Sequence, residues 1–385
     1  MNKIQKVPEI ILLIETSREF GRGLLAGIAR YSRIYGPLRF CRYPPYYLYP
    51  YDDRKIYRWI KQQRADGIIM RRSKNTDQIL ALKIPIIILD VNKEIEDHPN
   101  IVTDDQNIGR IAAEYFISRR FKEFAFCGFS NMLWSQKRCE GFCAALGKTG
   151  IIPYIYNLPR RSWKSEIPVL IEWLKKLPQP VALMACNDDR GQEIIEACRA
   201  ANLYIPEQVA VLGVDNDTLV CDLTEPTLSS IAINTEKAGF EAAQLITKLV
   251  FGEAASVNKI LAEPTHVVTR RSTDITMVDD NDVAKALRFI SEHSRDRIQI
   301  EDVVEAVKIS RRGLYKKFKR TIGRSVHDEI TIVQIEHIKK MLRETNLSIS
   351  HIASQLKYSG VEKLARFFRR ETGITPIEYR KSIRH

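Results

Sequence analysis

The feature that most constrains this chain is a pattern that occurs twice near its C-terminal end. Ile300, Val303, Val304 and Val307 fall at i, i+3, i+4 and i+7, one apolar stripe of a helix. A three-residue step, Lys308-Ile309-Ser310, follows, with Ser310 available as an N-cap. The run "RRGLYKKFKR" (311–320) then sets six cations and no carboxylate around two apolar anchors, Leu314 and Phe318. Forty-nine residues later Ile349, Ile352, Ala353 and Leu356 repeat the stripe, and Lys357-Tyr358-Ser359 repeats the step. Leu364, Phe368 and Gly373 match Leu314, Phe318 and Gly323 at an offset of 50, so one residue is inserted at the start of the second basic helix. Two helices joined by so short a turn form a helix-turn-helix. The sequence therefore predicts an all-α domain with two such motifs, at about 300–322 and 349–372. "HDEITIVQIEHIKKMLRET" (327–345), with Ile330, Val333, Ile338, Met341 and Leu342, reads as a spacer helix between them.

The anchors fix which face is exposed. With Leu314 and Phe318 turned to the core, Arg312, Tyr315, Lys316 and Lys319 point away; in the second copy Glu362, Ala365, Arg366 and Arg369 do so. Arg and Lys on an exposed helix face supply bidentate donors for guanine and neutralise phosphates beside it. Charge is distributed accordingly. Of the net +13, an excess of ten cations lies in residues 281–385, while all seven cysteines lie before it. Two domains follow, 1–275 and 276–385, and the basic one is expected to meet double-stranded DNA.

The first 275 residues alternate short apolar runs with helical stretches. "EIILLIE" (9–15), "DGIIM" (66–70), "IPIIILDV" (84–91), "EFAFCG" (123–128), "VALMAC" (181–186) and "VAVLGVD" (209–215) read as strands buried on both faces. Such alternation predicts an α/β architecture of doubly wound parallel sheets, divided into two lobes. Sheets of this kind take ligands outside the carboxyl ends of their strands. The residues at those ends are polar: Ser17, Arg18 and Arg22, then Asp104 and Asp105, Arg138, Asn187, Asp188 and Asp189, and Asp215. Carboxylates accept hydroxyl protons and arginine donates in a planar fork, so the set suits a small polyhydroxylated ligand. Asp and Asn also favour strand-end turns and helix N-caps, and each residue taken singly fits that role as well.

The motifs "ETSREFGRGLLAGIARY", "VTDDQNIGRIAAEYF", "RCEGF", "MACNDDRG" and "VAVLGVDND" resemble the LacI/GalR and periplasmic sugar-binding fold, in the form found in xylose-operon activators. The resemblance spans nearly all of 8–272. It implies an effector, xylose or a related sugar, held between the lobes by the loop from Ser17 through Arg18 to Arg22, by Asp104, Arg138, Asn187 and Asp215, and by Asp188 beside them. It also implies three crossings between lobes, placed here near 120, 231 and 256. Lobe 1 would then be about 1–120 and 231–256, and lobe 2 about 121–230 and 257–272.

The duplicated motif, together with "ETGITPIEYR" (371–380), resembles the AraC/XylS DNA-binding domain. That resemblance implies base reading by Arg312, Tyr315 and Lys316 in the first motif and by Val361, Glu362 and Arg366 in the second. Arg311, Lys319, Arg320, Lys363, Arg369 and Arg370 are expected at phosphates. Leu364 stands where an aromatic residue is frequent in that family. The two motifs would occupy successive major grooves, about one helical turn or ~34 Å apart. The resemblance also implies a homodimer and activation through RNA polymerase.

Other classes fit less well. No apolar run reaches the ~20 residues of a membrane span, and "MNKIQKVPEIILLIE" lacks a secretory pattern, so a cytoplasmic protein with reduced thiols and no membrane partner is expected. A sugar-metabolising or nicotinamide-dependent enzyme should carry a phosphate loop, a metal cluster or a nucleophile–base pair. The seven histidines are scattered, no GxxxxGK[ST] occurs, and Cys139 and Cys143 read as small helix residues. Gly21, Gly23 and Gly27 start about six residues past the strand and lack the acidic residue of a dinucleotide site, since 28–51 contains no Asp or Glu. Gly23 and Gly27 are instead spaced for close packing on one helix face. No metal, cofactor or catalytic residue is expected. A transport-type sugar-binding protein is opposed by the basic C-terminal domain. "YPPYYLYPYDDRKIYRW" (43–59) reads as a Pro-punctuated loop, with sugar stacking or a dimer surface as the other use of its aromatic faces.

Overall fold

The computed structural model describes residues 7–43, 53–89, 95–159, 163–253, 259–275, 280–293 and 296–382. The chain forms two compact units, Met1–Thr273 and Asp274–His385.

The first unit contains twelve strands among its described residues: β1 (Glu9–Leu13), β2 (Arg39–Arg42), β3 (Gly67–Arg71), β4 (Ile86–Leu89), β5 (Asn100–Thr103), β6 (Glu123–Phe129), β7 (Tyr154–Leu158), β8 (Val181–Ala185), β9 (Val209–Asp215), β10 (Ser229–Ile233), β11 (Lys259–Ala262) and β12 (Pro264–Val268). They build two six-stranded sheets, ordered β11-β5-β4-β3-β1-β2 and β12-β10-β9-β8-β6-β7. All pairings are parallel except β10 with β12. The continuous apolar runs follow from helices covering both faces. On the first sheet Ile10, Leu12 and Ile69 pack with the helices Glu19–Tyr35 and Thr235–Val250, while Ile11, Ile68 and Met70 pack with Asp53–Gln63 on the other face.

Two of the three lobe crossings differ from the expected positions. The helix Asp105–Ser118 follows β5 of the first sheet but already packs on the second lobe: Tyr115 Oη lies 2.6 Å from Thr273 Oγ1 and 3.0 Å from Thr269 Oγ1. The helix Thr235–Val250 follows β10 of the second sheet but packs on the first lobe. β11 then pairs with β5, so Lys259–Ala262 belongs to lobe 1, and Ser229–Ile233 belongs wholly to lobe 2. The crossings therefore lie at the strand ends near Asp104, Asn234 and Glu263; the second agrees with the expected 231, and the first and third replace 120 and 256. A crossing near 120 keeps the helix Asp105–Ser118 with the strand before it and one near 256 leaves β11 out of lobe 1, whereas the chain changes lobe at the strand ends.

Two close helix pairs flank these crossings. A Cβ on Gly23 or Gly27 would run into Thr235 and the Glu236 carbonyl, and one on Gly239 into the Leu24 carbonyl. In the second lobe, Gly109 and Gly141 make the same kind of approach to the carbonyls of Arg138 and Gln106. The glycines of "GRGLLAG" thus serve helix contact. Of the Tyr/Pro-rich stretch, 44–52 lies outside the described residues. Its end, 53–59, is helical instead of a loop, with Trp59 edge-on to Tyr43 at 5.4 Å.

The second unit contains seven helices among its described residues: Asn281–Glu292, Ile300–Val307, Arg311–Ile322, Val326–Glu344, Ile349–Gln355, Val361–Thr372 and Pro376–Ser382. Leu314 and Phe318 are fully buried with Val303, Val307 and the first helix's Val283, Ala286 and Ile290. Leu364 and Phe368 are equally buried with Ile352 and Leu356. Each such aromatic or aliphatic anchor contributes about 1.5–3 kcal/mol. The spacer helix joins the two cores, giving Ile330 to the first and Ile335, Ile338 and Leu342 to the second.

Candidate effector cleft and nucleic-acid interface

In the first unit, the loop after β1 meets the second lobe through charge. Arg18 NH2 lies 2.7 Å from Asp189 Oδ1, with Nε 2.9 Å from the same oxygen. Arg22 NH2 lies 2.9 Å from Asp217 Oδ1 and NH1 donates to the Ser17 carbonyl at 3.1 Å. The Glu19 N–H donates to Asp217 Oδ2 at 2.9 Å. Ser17 is exposed, and its N–H donates to the Glu15 carboxylate.

Deeper in, Arg138 is buried on the helix Leu133–Gly147. Its Nε donates to Asp105 Oδ1 at 2.9 Å, NH1 donates to the Cys186 carbonyl at 2.6 Å, and NH2 stands 3.7 Å from Asp215 Oδ1. Burial works against its charge, but the Asp105 and Asp215 carboxylates outweigh that and raise its pKa. Burial pushes the Asp215 carboxyl up to about 6 against the pull of Arg138. Asp215 closes β9 at φ 102°, a left-handed position that a non-glycine residue occupies only when its surroundings hold it there.

The remaining candidates are used within the protein. Asn187 caps the helix Asp188–Ala200, accepting from the Arg190 N–H at 3.0 Å. Asp188 accepts from Ser230 Oγ at 2.5 Å and from the Asp217 N–H at 2.7 Å. Burial, then Asp215, raise its pKa well above the usual carboxylate range. Asp104 sits half-buried at the N-cap position of Asp105–Ser118 without making a side-chain cap. Arg18, Arg22, Asp189 and Asp217 thus meet as one group, and Arg138, Asp105 and Asp215 as another.

In the second unit, Ser310 caps the first recognition helix by accepting from the Gly313 N–H at 3.1 Å. Arg312 and Lys316 are exposed and Tyr315 is half-buried on one side of this helix. Arg311 NH1 pairs with Glu301 at 2.6 Å, and its guanidinium lies 5.8 Å from the Tyr315 ring centroid. Lys319 donates to the Gly323 carbonyl at 3.1 Å, and Arg320 pairs with Asp280 at 3.3 Å. On Val361–Thr372, Val361, Glu362, Lys363, Arg366, Arg369 and Arg370 are all exposed, with Arg370 paired to Glu371 at 2.6 Å.

Comparison with known proteins bears on both units. Residues 113–273 match the periplasmic binding protein-like domain and 303–382 a helix-turn-helix domain. The xylose operon regulatory protein of Haemophilus influenzae is 28% identical over 386 residues, covering 97% of this chain and 98% of that protein. Its Escherichia coli K12 namesake is 29% identical over 333 residues, covering 83% and 85%. A solved structure of the xylose-binding transcription activator XylR superimposes with a TM-score of 0.68 at 26% identity, covering 99% of each chain. The chain belongs to the AraC-type regulators with a periplasmic-binding-protein-like domain.

A transcriptional regulator of this family binds DNA and is not an enzyme, which removes the kinase and dehydrogenase readings. Within the regulator, three acids matter that sequence reasoning left out of its effector set. Asp105, not its neighbour Asp104, holds Arg138. Asp189 and Asp217 carry the contacts between lobes. Asp217 also caps the helix Thr218–Leu223 through the Leu219 N–H. An Asp opening a short helical run is the one signal that could have drawn notice to it.

No helix among the described residues is long and apolar enough to cross a membrane. Cys139 and Cys143 lie one turn apart with their sulfurs 3.9 Å from each other.

Proposed function

We propose that this regulator activates genes of carbohydrate catabolism under the control of a small sugar, xylose or a related one, taken up between the lobes. The observation that carries this reading is the linkage of the lobes at the strand ends, where Arg18–Asp189 and Arg22–Asp217 pair side chains of opposite lobes. Next to them Arg138 and Asp215 offer a donor fork and a carboxylate able to accept or donate near neutral pH. The relatives' names support a pentose as the first ligand to try. Ser17, Arg18, Arg22, Asp104, Arg138, Asn187, Asp188 and Asp215 form the effector set, with Asn187 and Asp188 acting from behind as fixed supports.

A sugar that binds both lobes favours one arrangement of a homodimer in proportion to its differential affinity for the two arrangements. That arrangement sets two DNA-binding domains on neighbouring half-sites, where RNA polymerase is contacted, in the cytoplasm. Arg312, Tyr315, Lys316, Val361, Glu362 and Arg366 read bases; Arg311, Lys319, Arg320, Lys363, Arg369 and Arg370 hold phosphates.

A thermal-shift screen over pentoses, hexoses and sugar acids tests the effector. A ligand of the folded state at a hundred times its Kd adds about 2.7 kcal/mol of stability, a shift of several degrees. If no sugar raises the melting temperature or alters migration of the DNA complex, the sugar reading falls.

A further inference from the structure

The first recognition helix is tied from one side by acids at the start of the unit's first helix, Asn281–Glu292. Lys317 Nζ lies 3.0 Å from Asp280 Oδ1 and 2.5 Å from Asp282 Oδ2, and Arg320 NH2 lies 3.3 Å from Asp280 Oδ2. The Asp280 side chain is only 11% exposed, and its Oδ1 also caps its own helix by accepting from the N–H groups of Asp282 and Val283. Its position is therefore set by the helix Asn281–Glu292, which is itself locked into the first core through Val283, Ala286 and Ile290. Burial opposes ionisation of Asp280, but Lys317 and the two backbone donors outweigh it and hold its carboxyl below the usual range. It is a fixed negative charge at neutral pH.

The second motif is built differently at the same places. At the offset of 50, Phe367 stands for Lys317 and Arg370 for Arg320. Phe367 packs on Tyr358 with ring centroids 6.0 Å apart, and Arg370 pairs with its chain neighbour Glu371. Glu371 sits on the same helix as Arg370 and moves with it, whereas Asp280 is fixed by capping a separate helix.

We propose that Asp280 is a positioning residue that limits the DNA affinity of the first motif by holding Arg320 and setting a fixed negative charge at the edge of the basic face. This rests on Arg320 being a phosphate contact. A phosphate approaching Arg320 must compete with a carboxylate that stays in place, and it is repelled by the same carboxylate. Lys317, bound to two acids, keeps the helices together and stays neutralised.

The test is a mobility-shift titration of the full chain on a non-specific duplex at several salt concentrations. Asn caps helices about as well as Asp, so Asp280→Asn keeps the helix start and removes only the charge. It should bind about two- to five-fold tighter near ~0.1 M salt, the range of an exposed ion pair. The plot of log affinity against log salt should steepen by a fraction of one, because Arg320 neutralises its phosphate only in part while Asp280 holds it. Asp282→Asn, which touches Lys317 but not Arg320, should leave that slope unchanged. In Asp280→Asn/Arg320→Ala the added slope should vanish. Binding by Asp280→Asn no tighter than wild type, or identical slopes for the Asp280 and Asp282 variants, would overturn the proposal. The underlying reading is tested separately: Arg320→Ala alone must weaken binding and flatten the slope, and if it does neither, Arg320 is no phosphate contact.

Discussion

Lys308 and Lys357 hold the same left-handed backbone conformation, φ 59° and 55°, at matching places in the two helix-turn-helix motifs. Lys308 caps the first helix of its motif and Lys357 directly follows the cap Leu356, each turning the chain toward the recognition helix. Gly323 and Gly373, at φ 81° and 80°, close the two recognition helices alike. The duplication is thus one of backbone conformation as well as of side-chain pattern. A side chain in this region costs about 1–2 kcal/mol, more when branched at Cβ. Lys308→Val is expected to destabilise the protein by about 1–2 kcal/mol, and Lys308→Gly to be neutral or slightly stabilising, read from urea unfolding followed in the second unit. Equal losses for both would show that the turn is not the constraint.

The close helix pair of the first lobe predicts opposite results for two glycines. Gly27 has the Glu236 carbonyl where a Cβ would go, so Gly27→Ala must push the helices apart, at about 1–3 kcal/mol. Gly147, at the end of the helix Leu133–Gly147, has nothing within 4 Å of that position, so Gly147→Ala should gain up to about 1 kcal/mol. Chemical unfolding of the two variants beside wild type decides the point.

Asp215 predicts a pH dependence of defined sign. Its carboxyl is pushed up to about 6, whereas an unfolded aspartate titrates near 3.9. The folded protein therefore binds this proton more tightly, and the group's contribution to stability falls as pH rises from about 4 to about 6, then stays constant. Asp215→Asn should remove that fall. Melting temperatures taken from pH 4 to pH 7 should move in the variant's favour across the window, by up to about 3 kcal/mol in stability. A constant difference across the window would contradict the placement of this carboxyl.

On DNA, the two kinds of contact separate by their response to sequence and salt. Arg312→Ala should cost about 1–3 kcal/mol at one base position and relax specificity there. Lys319→Ala should weaken binding to every sequence and flatten the salt slope by about one. A mobility-shift series with single base changes distinguishes them; identical behaviour of both variants would refute the assignment.

The six strands legible in the sequence, β1, β3, β4, β6, β8 and β9, are those buried on both faces, which leave unbroken apolar runs such as "VALMAC" and "VAVLGVD". The strands that escaped notice are mostly short or at sheet edges. β2 and β7 are edge strands, and β11 and β12 border their sheets on the far side. Such strands carry mixed polarity and no periodic signal of their own. The first helix of the second unit, Asn281–Glu292, was likewise passed over, and with it the acids that meet Lys317 and Arg320.

The sequence by itself determined the duplicated helix-turn-helix, the face each basic helix exposes and the α/β character of the first unit. Helical periodicity, strand apolarity and charge balance are local properties, written in residues close along the chain. Only the tertiary structure decided that Asp105, not Asp104, serves Arg138, that Asp217 binds Arg22 across the lobes, and that β11 returns to the first sheet. Those partners are 33 and 195 positions apart for the two arginines. A carboxylate carries the same local signature whether it caps a helix, joins two lobes or faces a ligand, so its role is fixed by what the fold brings to it.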